Sequence, residues 1–223
     1  EKHSDFFVNF VSVNTNRVNE PGFADSVRDH LQNAKSYGVA GIKLFKNVSL
    51  TVEKDGKYIP GRNISIDDPR LKVIWETAAE LKMPVLAHIG DPVAFFRPVD
   101  RLNERYEQLL VHPDWSFYGP GMYTFADMMH MQENLLADNP ETIFIIPHGG
   151  GYSENLGYVG QCLDKYPNMY IDLAARVSEF GRQPYTSRKF FIKYQDRILF
   201  GTDEFAGGKK RSYPFYYRFL ETY

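Results

Sequence analysis

The sequence predicts an α/β fold in which short strands and longer helices alternate along a single domain of 223 residues. Short apolar runs bounded by Gly, Pro or Asn alternate with longer segments whose apolar residues recur at helical spacing. About six strand–helix units follow one another in this way, and such alternation is typical of a parallel sheet with helices outside it.

The lengths of the predicted connections favour one kind of parallel sheet. Connections from helix to strand are short, whereas two connections from strand to helix, 46–67 and 89–123, are long. Long loops inside a compact domain are usually functional, and a (β/α)8 TIM barrel places them at the carboxyl ends of its strands. We therefore expect an apparently truncated TIM barrel over residues 1–223, with an open doubly wound sheet as the alternative.

In the N-terminal half, turn and cap residues delimit the predicted elements. Gly38 is expected to end the first helix, Asp68 to cap the second, and Pro69 to occupy its first turn. Asp55 and Gly56 mark a turn inside the first long connection. The predicted strands cover 5–13, 39–45 and 84–87, and the predicted helices cover 23–37 and 69–82.

In the C-terminal half, Thr124 and Asp127 have the spacing of a capping box at the start of a helix. The apolar run 198–200 is expected to be a buried strand, because parallel strands covered on both faces are continuously apolar. The predicted strands cover 142–147, 169–173 and 198–200, and the predicted helices cover 124–137, 153–166, 184–194 and 213–223.

Composition excludes several classes of partner. A net charge of −2 without a long Lys/Arg run argues against nucleic acid, and no apolar segment approaches the roughly 20 residues that span a bilayer. The lone Cys162 rules out an internal disulfide or a cysteine-based metal cluster. An aromatic fraction of 15% suits either an aromatic core or an aromatic-lined pocket. These features leave a small molecule as the expected partner.

Three predicted strands are followed by residues that could bind a metal: His88, His148 and Asp203. Lys43 lies near the end of a fourth strand. A single strand-end histidine is more often structural, and an Asp after a strand is more often a turn or cap residue. At the carboxyl end of one parallel sheet, however, these side chains would converge, and imidazole with carboxylate is a zinc-type ligand set.

Five segments resemble strands four to eight of the amidohydrolase-2 family, the metal-dependent TIM-barrel hydrolases that include aminocarboxymuconate-semialdehyde decarboxylase and related decarboxylases and lactonases. These segments are GIKLF, PVLAHIGDP, FIIPHGGG, MYIDLAAR and RILFGTDEF. The resemblance implies that His88 binds a divalent metal, with zinc as the expected ion, and that His148 is catalytic. It also implies that Asp203 both binds the metal and exchanges the proton of its water.

Two cationic residues are candidates for substrate binding. Lys43 is expected either to orient a substrate carboxylate without being carbamylated or to pack within the barrel mouth. Arg176 follows the predicted strand 169–173 and is placed to receive an anionic substrate. In the long loops, Asp91, Arg97, Trp115 and Tyr118 could shape a pocket or have surface and packing roles.

One departure from the family pattern concerns the metal ligands. The family carries a His-x-His pair on its first strand, and this sequence has none. Its first strand matches the third strand of the family, so we expect two N-terminal units and the C-terminal end to be missing. Six units do not close an eight-stranded barrel without further chain or a homo-oligomeric partner. His88 and Asp203 alone should bind metal weakly, because catalytic zinc sites use three protein ligands.

The leading functional hypothesis is a metal-dependent hydrolase of a small, carboxylated substrate. The metal would activate water, Asp203 would take its proton, and His148 would polarise the scissile carbonyl. The alternatives are non-oxidative decarboxylation at the same site and an inactive barrel fragment or degenerate homologue with a binding role. A nucleotide-binding interpretation of Gly149 to Gly151 conflicts with the spacing, because Glu154 stands where a glycine is needed.

Overall fold

A computed structural model of the chain describes residues 6–204 and 213–221. Within these ranges the chain forms eight strands, six in one parallel sheet and two in a separate antiparallel hairpin. The strands are β1 (Phe10–Val11), β2 (Gly41–Leu44), β3 (Thr51–Lys54), β4 (Lys57–Pro60), β5 (Val85–Ala87), β6 (Phe144–Ile146), β7 (Met169–Asp172) and β8 (Ile198–Leu199).

The helices of these ranges alternate with the strands of the parallel sheet, as the sequence predicts. They are α1 (Phe23–Ser36), α2 (Lys72–Glu80), α3 (Tyr106–Val111), α4 (Phe125–Asp138), α5 (Leu156–Lys165), α6 (Val177–Gly181), α7 (Pro184–Tyr194) and α8 (Tyr213–Glu221). A short helical segment, Pro147–Gly150, follows β6 directly. None of the helices in the described ranges has both the length and the apolar character to cross a membrane.

The order of strands in the large sheet is that of a barrel. The order is β1-β2-β5-β6-β7-β8, so each strand pairs with the next strand of this sheet along the chain, and every pair is parallel. A doubly wound sheet would instead reverse direction at a switch point. The sheet is nevertheless open, with β1 and β8 at its edges, which agrees with the expectation of an incomplete TIM barrel.

Burial alternates along the central strands. Ile42, Val85, Phe144 and Met169 are fully buried, and the residues that follow them are only partly buried. Successive side chains of a strand point to opposite faces, so one face packs against the helices and the other faces the interior of the open barrel. The apolar core therefore lies between the sheet and the helices, and the residues considered for the functional site lie at or near the carboxyl ends of the strands.

The segment 198–200 was predicted to be a buried strand, and the prediction that it is buried was wrong. The strand is Ile198–Leu199, and Leu199 is 40% exposed and Phe200 is 47% exposed. Within the described ranges β8 pairs only with β7, so its other side lacks a covering strand. The first strand is likewise shorter than predicted, Phe10–Val11 rather than 5–13, and residue 5 lies outside the described ranges.

Local signals set the other boundaries. The predicted turn at Asp55 and Gly56 connects β3 and β4, and both residues have positive φ angles, 52° and 72°. This conformation suits a tight hairpin turn. The predicted capping box is present, because the hydroxyl of Thr124 accepts from the backbone of Asp127 and the Asp127 carboxylate accepts from the backbone of Thr124. The long connection 89–123 contains α3 rather than irregular chain alone.

We predict that Thr124→Ala lowers the free energy of unfolding by about 1 kcal/mol, because it removes one of the two reciprocal capping bonds of α4. Urea denaturation followed by circular dichroism measures the loss. Thr186→Ala is the matched control, since Thr186 is exposed within α7 and caps no helix. Equal losses in the two variants would show that the capping box adds nothing.

Candidate active site

The two candidate histidines meet at the carboxyl end of the sheet. His88 follows β5 directly, and its backbone N–H donates to the carbonyl of Leu44 in β2 at 3.1 Å. His148 follows β6, and its Nε2 lies 3.2 Å from Nδ1 of His88. The parallel register brings them together, because β5 and β6 pair along their length and end at the same edge.

A left-handed backbone segment presents His148. Four consecutive residues, His148 to Gly151, have φ angles between 60° and 77°. Glycine adopts this region without strain, whereas a non-glycine residue there needs support from its surroundings. The glycines are also required by packing, since a Cβ at Gly149 would lie 2.8 Å from the ring of Phe180. Backbone geometry and packing thus account for these glycines, which the sequence analysis compared with a phosphate loop.

Asp172, at the end of β7, supplies that support. Its Oδ1 accepts from the backbone N–H groups of His148 and Ala174, each at 2.9 Å. Burial raises the pKa of Asp172, and the two N–H groups oppose that rise. Asp172 was not among the residues predicted from the sequence, although a carboxylate at the last position of an apolar strand could have indicated it. Asp172 fixes the backbone of His148 and thereby aims its ring at His88.

Asp91 is the centre of a buried charge network. Its Oδ2 lies 2.9 Å from Nζ of Lys46 and 3.4 Å from Nε2 of His88, and its Oδ1 lies 3.6 Å from Nη2 of Arg176. Burial on its own would raise the pKa of Asp91, but the charges of Lys46 and Arg176 hold it well below the usual range. The carboxylate is therefore ionised, and it connects the segments that follow β2, β5 and β7.

The two imidazoles are neutral near pH 7. Burial lowers the pKa of His88, and Asp91 only partly opposes this. Burial lowers the pKa of His148 well below its usual value, and the neighbouring His88 lowers it further. Nδ1 of His148 lies 2.9 Å from the carbonyl oxygen of Ala174. A carbonyl can only accept, so Nδ1 of His148 carries the proton and its Nε2 is left as an acceptor.

This proton assignment places two hydrogen-bond acceptors, Nε2 of His88 and the carboxylate of Asp91, next to each other. His88 must donate from Nδ1 to Nε2 of His148, so a neutral His88 turns the lone pair of its Nε2 toward the carboxylate of Asp91. A cation satisfies such a pair of acceptors, and neutral imidazole is the metal-binding form of histidine. The donor chemistry around His88 therefore fits a divalent metal.

A cavity of about 240 Å³ opens beside these residues. Three of its residues, His148, Ala175 and Asp203, have positive φ angles of 60°, 54° and 61°. Left-handed non-glycine residues cluster at functional sites, where the surrounding structure holds them in place. The cavity is lined by Lys46, His88, Asp91, Pro92, Phe95, Arg105, Gln108, Trp115, His148, Ala175, Arg176 and Asp203.

The structure brings most of the sequence-selected residues to this one cavity. His88, His148, Asp203 and Arg176 all line it, whereas Lys43 does not. Burial lowers the pKa of Lys43, and the nearby acids Asp203 and Asp172 oppose that shift. Lys46, three residues further along the chain, lines the cavity, and the role of Lys43 in binding a substrate carboxylate or packing in the barrel mouth stays a prediction.

Of the long-loop residues that were considered for the pocket, some line the cavity and others do not. Asp91 and Trp115 line the cavity, whereas Arg97 lines a separate surface cavity and Tyr118 is 56% exposed. Sequence reasoning missed Lys46 and Arg105 altogether. Both follow strands through loops whose path no periodic pattern defines.

The set of metal ligands is incomplete within residues 6–204 and 213–221. His88 and Asp203 share the cavity, but no group of three or more His, Cys, Asp or Glu side chains in these ranges could hold a metal ion. Catalytic zinc sites use three protein ligands and one open position. Within the described ranges, His88 and Asp203 are therefore fewer ligands than a catalytic zinc site requires.

A parallel sheet in barrel order, with histidines and carboxylates at the carboxyl ends of its strands, is the arrangement found in TIM-barrel enzymes. The chain belongs to the amidohydrolase-2 family, whose model, described as amidohydrolase, matches residues 2–219. The family is metal-dependent, which supports a divalent metal in this chain without specifying zinc. No curated protein matches the sequence.

Solved structures share the fold at low sequence identity. 2,6-Dihydroxybenzoate decarboxylase from Rhizobium is 20% identical, with a TM-score of 0.53 over 91% of this chain and 61% of that one. 4-Oxalomesaconate hydratase from Rhodopseudomonas palustris is 17% identical, with a TM-score of 0.53 over 97% of this chain and 59% of that one. 5-Carboxyvanillate decarboxylase from Novosphingobium aromaticivorans, complexed with manganese and a nitrobenzoic acid, is 14% identical, with a TM-score of 0.51 over 99% of this chain and 58% of that one. The chain thus spans about three fifths of each.

We predict that Gly150→Ala destabilises the protein more than Gly38→Ala does. Both glycines have left-handed φ angles, 76° and 80°, so both variants pay about 1–2 kcal/mol of backbone strain. Only at Gly150 would the new Cβ also meet a side chain, Val159, at 2.7 Å, which adds about 1–3 kcal/mol of overpacking. Thermal or urea unfolding of both variants measures the difference, and equal losses would contradict the packing argument.

We also predict that Asp91→Asn destabilises the protein by about 3–5 kcal/mol at pH 7, because Lys46 and Arg176 lose their buried counter-ion. The folded-state pKa of Asp91 is depressed, so its stabilisation is fully present above the unfolded-state pKa near 3.9 and is lost as the pH falls through the folded value. Urea unfolding from pH 7 to pH 3 should show the gap between wild type and variant shrinking only at the acidic end.

The control for this experiment is Asp29→Asn, because Asp29 is exposed on α1. Its stability relative to wild type should stay nearly constant over the same pH range. A gap for Asp91→Asn that does not change with pH would contradict the assignment of a depressed pKa.

Proposed function

We propose that the chain supplies the substrate-binding half of a metal-dependent active site that acts on a small carboxylated substrate carrying a flat ring. The observation that carries this proposal is the cavity lining, which combines Lys46, Arg105 and Arg176 with the aromatic rings of Phe95 and Trp115. Cationic groups between aromatic walls suit an anion with an unsaturated body.

The charge network leaves room for a carboxylate at Arg176. Lys46 and Arg176 share the single carboxylate of Asp91, so these three side chains together carry one uncompensated positive charge. Arg176 is only 9% exposed in its side chain, and its guanidinium also donates to the carbonyl of Ala175 at 2.9 Å. A substrate carboxylate at this point would form a charge-assisted hydrogen bond inside a partly desolvated cavity.

The aromatic walls fit a ring. Phe95 and Trp115 lie with their centroids 6.1 Å apart, and His112 stacks on Trp115 at 4.1 Å with an interplanar angle of 10°. This stacking restricts the Trp115 ring. A flat substrate can then pack against a wall that is already ordered, which reduces the entropy lost on binding.

His88 and Asp203 would hold the metal, together with at least one further protein ligand. Zinc suits imidazole and carboxylate ligands, and manganese is the alternative because one solved relative was crystallised with it. When bound, a divalent metal would polarise substrate oxygen atoms and lower the pKa of water to near 7.

Two reactions use these parts. In hydrolysis, Asp203 takes the proton of the attacking water, and His148 stabilises the charge that develops on the scissile carbonyl. In non-oxidative decarboxylation, the ring carbon loses carbon dioxide and takes up a proton from the same acid–base residues. Hydrolysis was the expectation from sequence, and the aromatic walls together with the two aromatic-acid decarboxylases of similar fold favour decarboxylation.

An inactive homologue with a binding role is the second candidate. The observation that favours it is the partial ligand set, since His88 and Asp203 by themselves bind metal weakly. The two candidates differ in metal content. The enzyme retains about one metal ion per complete site after purification and dialysis, whereas the binding protein retains none.

The test uses the complete protein with zinc or manganese restored and follows carbon dioxide release from a panel of aromatic carboxylic acids. Asp203→Asn should lower the turnover number by about a hundredfold or more, because it removes the proton-exchanging group. Asp196→Asn is the matched control, since Asp196 is exposed at the opposite end of β8, and its turnover should equal that of wild type. Unchanged turnover in Asp203→Asn would remove this residue from the mechanism.

A further inference from the structure

We infer that Arg105 is a specificity-determining residue that selects substrates with a second anionic group, and that Glu179 is the residue that positions it. This inference rests on the proposed function, because it assigns the second group of the same carboxylated substrate. Its basis is the way in which the Arg105 side chain and backbone are both fixed at the cavity wall.

The guanidinium of Arg105 is anchored by a buried carboxylate. Its Nη2 donates to Oε1 of Glu179, whose side chain is fully buried, while Arg105 keeps 24% of its side chain exposed. Ser178 donates to the other oxygen of Glu179 at 2.7 Å, so both carboxylate oxygens are held. Glu179 lies in α6, outside the cavity lining, and Arg105 lies in that lining. The carboxylate therefore acts through Arg105 and does not face the substrate.

The backbone of Arg105 is fixed independently. The buried amide of Asn103 accepts from the backbone N–H of Arg105 at 2.9 Å and donates to the carbonyls of Ala94 and Pro98 at 2.8 and 2.9 Å. One side chain thus ties three points of the long connection after β5. Arg105 is held at its backbone by Asn103 and at its guanidinium by Glu179, which is the preorganisation that a recognition residue needs.

A second ion pair fixes the register of the same contact. Glu104 accepts from Arg182 at 2.8 Å, next to the pair of Arg105 with Glu179. In the first pair the loop supplies the anion, Glu104, and in the second it supplies the cation, Arg105. A shift of the loop by one residue would therefore place like charges together. Exposed pairs of this kind contribute little stability, and buried pairs often cost more in desolvation than they return. Their consequence here is a defined position for Arg105 above the cavity.

The charges favour a ligand with two anionic groups. Burial lowers the pKa of Arg105, and the neighbouring guanidinium of Arg176 lowers it further. Both line the same cavity of about 240 Å³. An arginine presents five N–H donors, so its bond to Glu179 leaves donors for a ligand. A ring carrying two carboxylates could engage both guanidinium groups and offset their repulsion.

The test measures ligand binding rather than turnover, using titration calorimetry on the complete, metal-loaded protein. Sodium benzoate is the probe with one carboxylate, and sodium isophthalate (benzene-1,3-dicarboxylate) is the probe with two. Wild type should bind isophthalate about ten- to a hundredfold tighter than benzoate, the range for one further charge-assisted hydrogen bond. Arg105→Met should abolish that preference.

Further variants separate positioning from folding. Arg105→Lys keeps the charge without the planar fork and should retain part of the preference. Glu179→Gln should weaken isophthalate binding without affecting benzoate, and Glu179→Asp should restore some of it. Arg188→Met is the matched control, because Arg188 is exposed on α7 and does not line the cavity, and its preference should stay within about twofold of wild type.

The failures of the two proposals are distinguishable. If wild type binds neither acid, the proposed function and this inference both fall. If benzoate binds and isophthalate binds no more tightly, the inference about Arg105 is overturned and the proposed function stands. An Arg105→Met variant that keeps the full preference for isophthalate also overturns it.

Discussion

The candidate site depends on the buried carboxylate of Asp91. Lys46, His88 and Arg176 follow three different strands, and all three contact this one group. A buried carboxylate persists as a charge only where cations and hydrogen-bond donors compensate for the loss of water. The ionised state of Asp91 therefore requires the segments that carry Lys46 and Arg176 to be in place together. Nε2 of His88 lies 3.4 Å from the same carboxylate, so His88 faces this anion at the edge of the cavity.

Asp172 has the corresponding role for the backbone. Its bonds to the N–H groups of His148 and Ala174 hold a left-handed residue that would otherwise be strained. Gly149 and Gly150 allow the turn to continue against Phe180 and Val159 without a side chain in the way. One aspartate thus organises the charges of the cavity and another organises its backbone, and neither was a primary site candidate in the sequence.

The sequence was most informative where parallel pairing determines position. His88 and His148 were predicted to converge because each follows an apolar strand, and all parallel strands end at one edge. Burial of 198–200 was mispredicted, because an apolar run does not reveal whether a neighbouring strand covers it. Lys46 was not predicted to line the cavity for a similar reason, because the pattern locates the end of β2 but not the path of the loop that follows it. Arg105 depends on contacts between distant loops, which no local spacing encodes.

Under the proposed function, metal binding and substrate recognition use different parts of the chain. Of the residues proposed as metal ligands, His88 and Asp203 line the cavity, but no group of three or more His, Cys, Asp or Glu side chains in the described ranges could hold a metal ion. The cationic and aromatic residues of the cavity lie in the loops after β2 and β5 and in the segment after β7. They are held by contacts within the described residues, such as Asp91 with Lys46 and Glu179 with Arg105. These contacts do not require a metal, so on this proposal binding of carboxylated rings and binding of metal are separable properties.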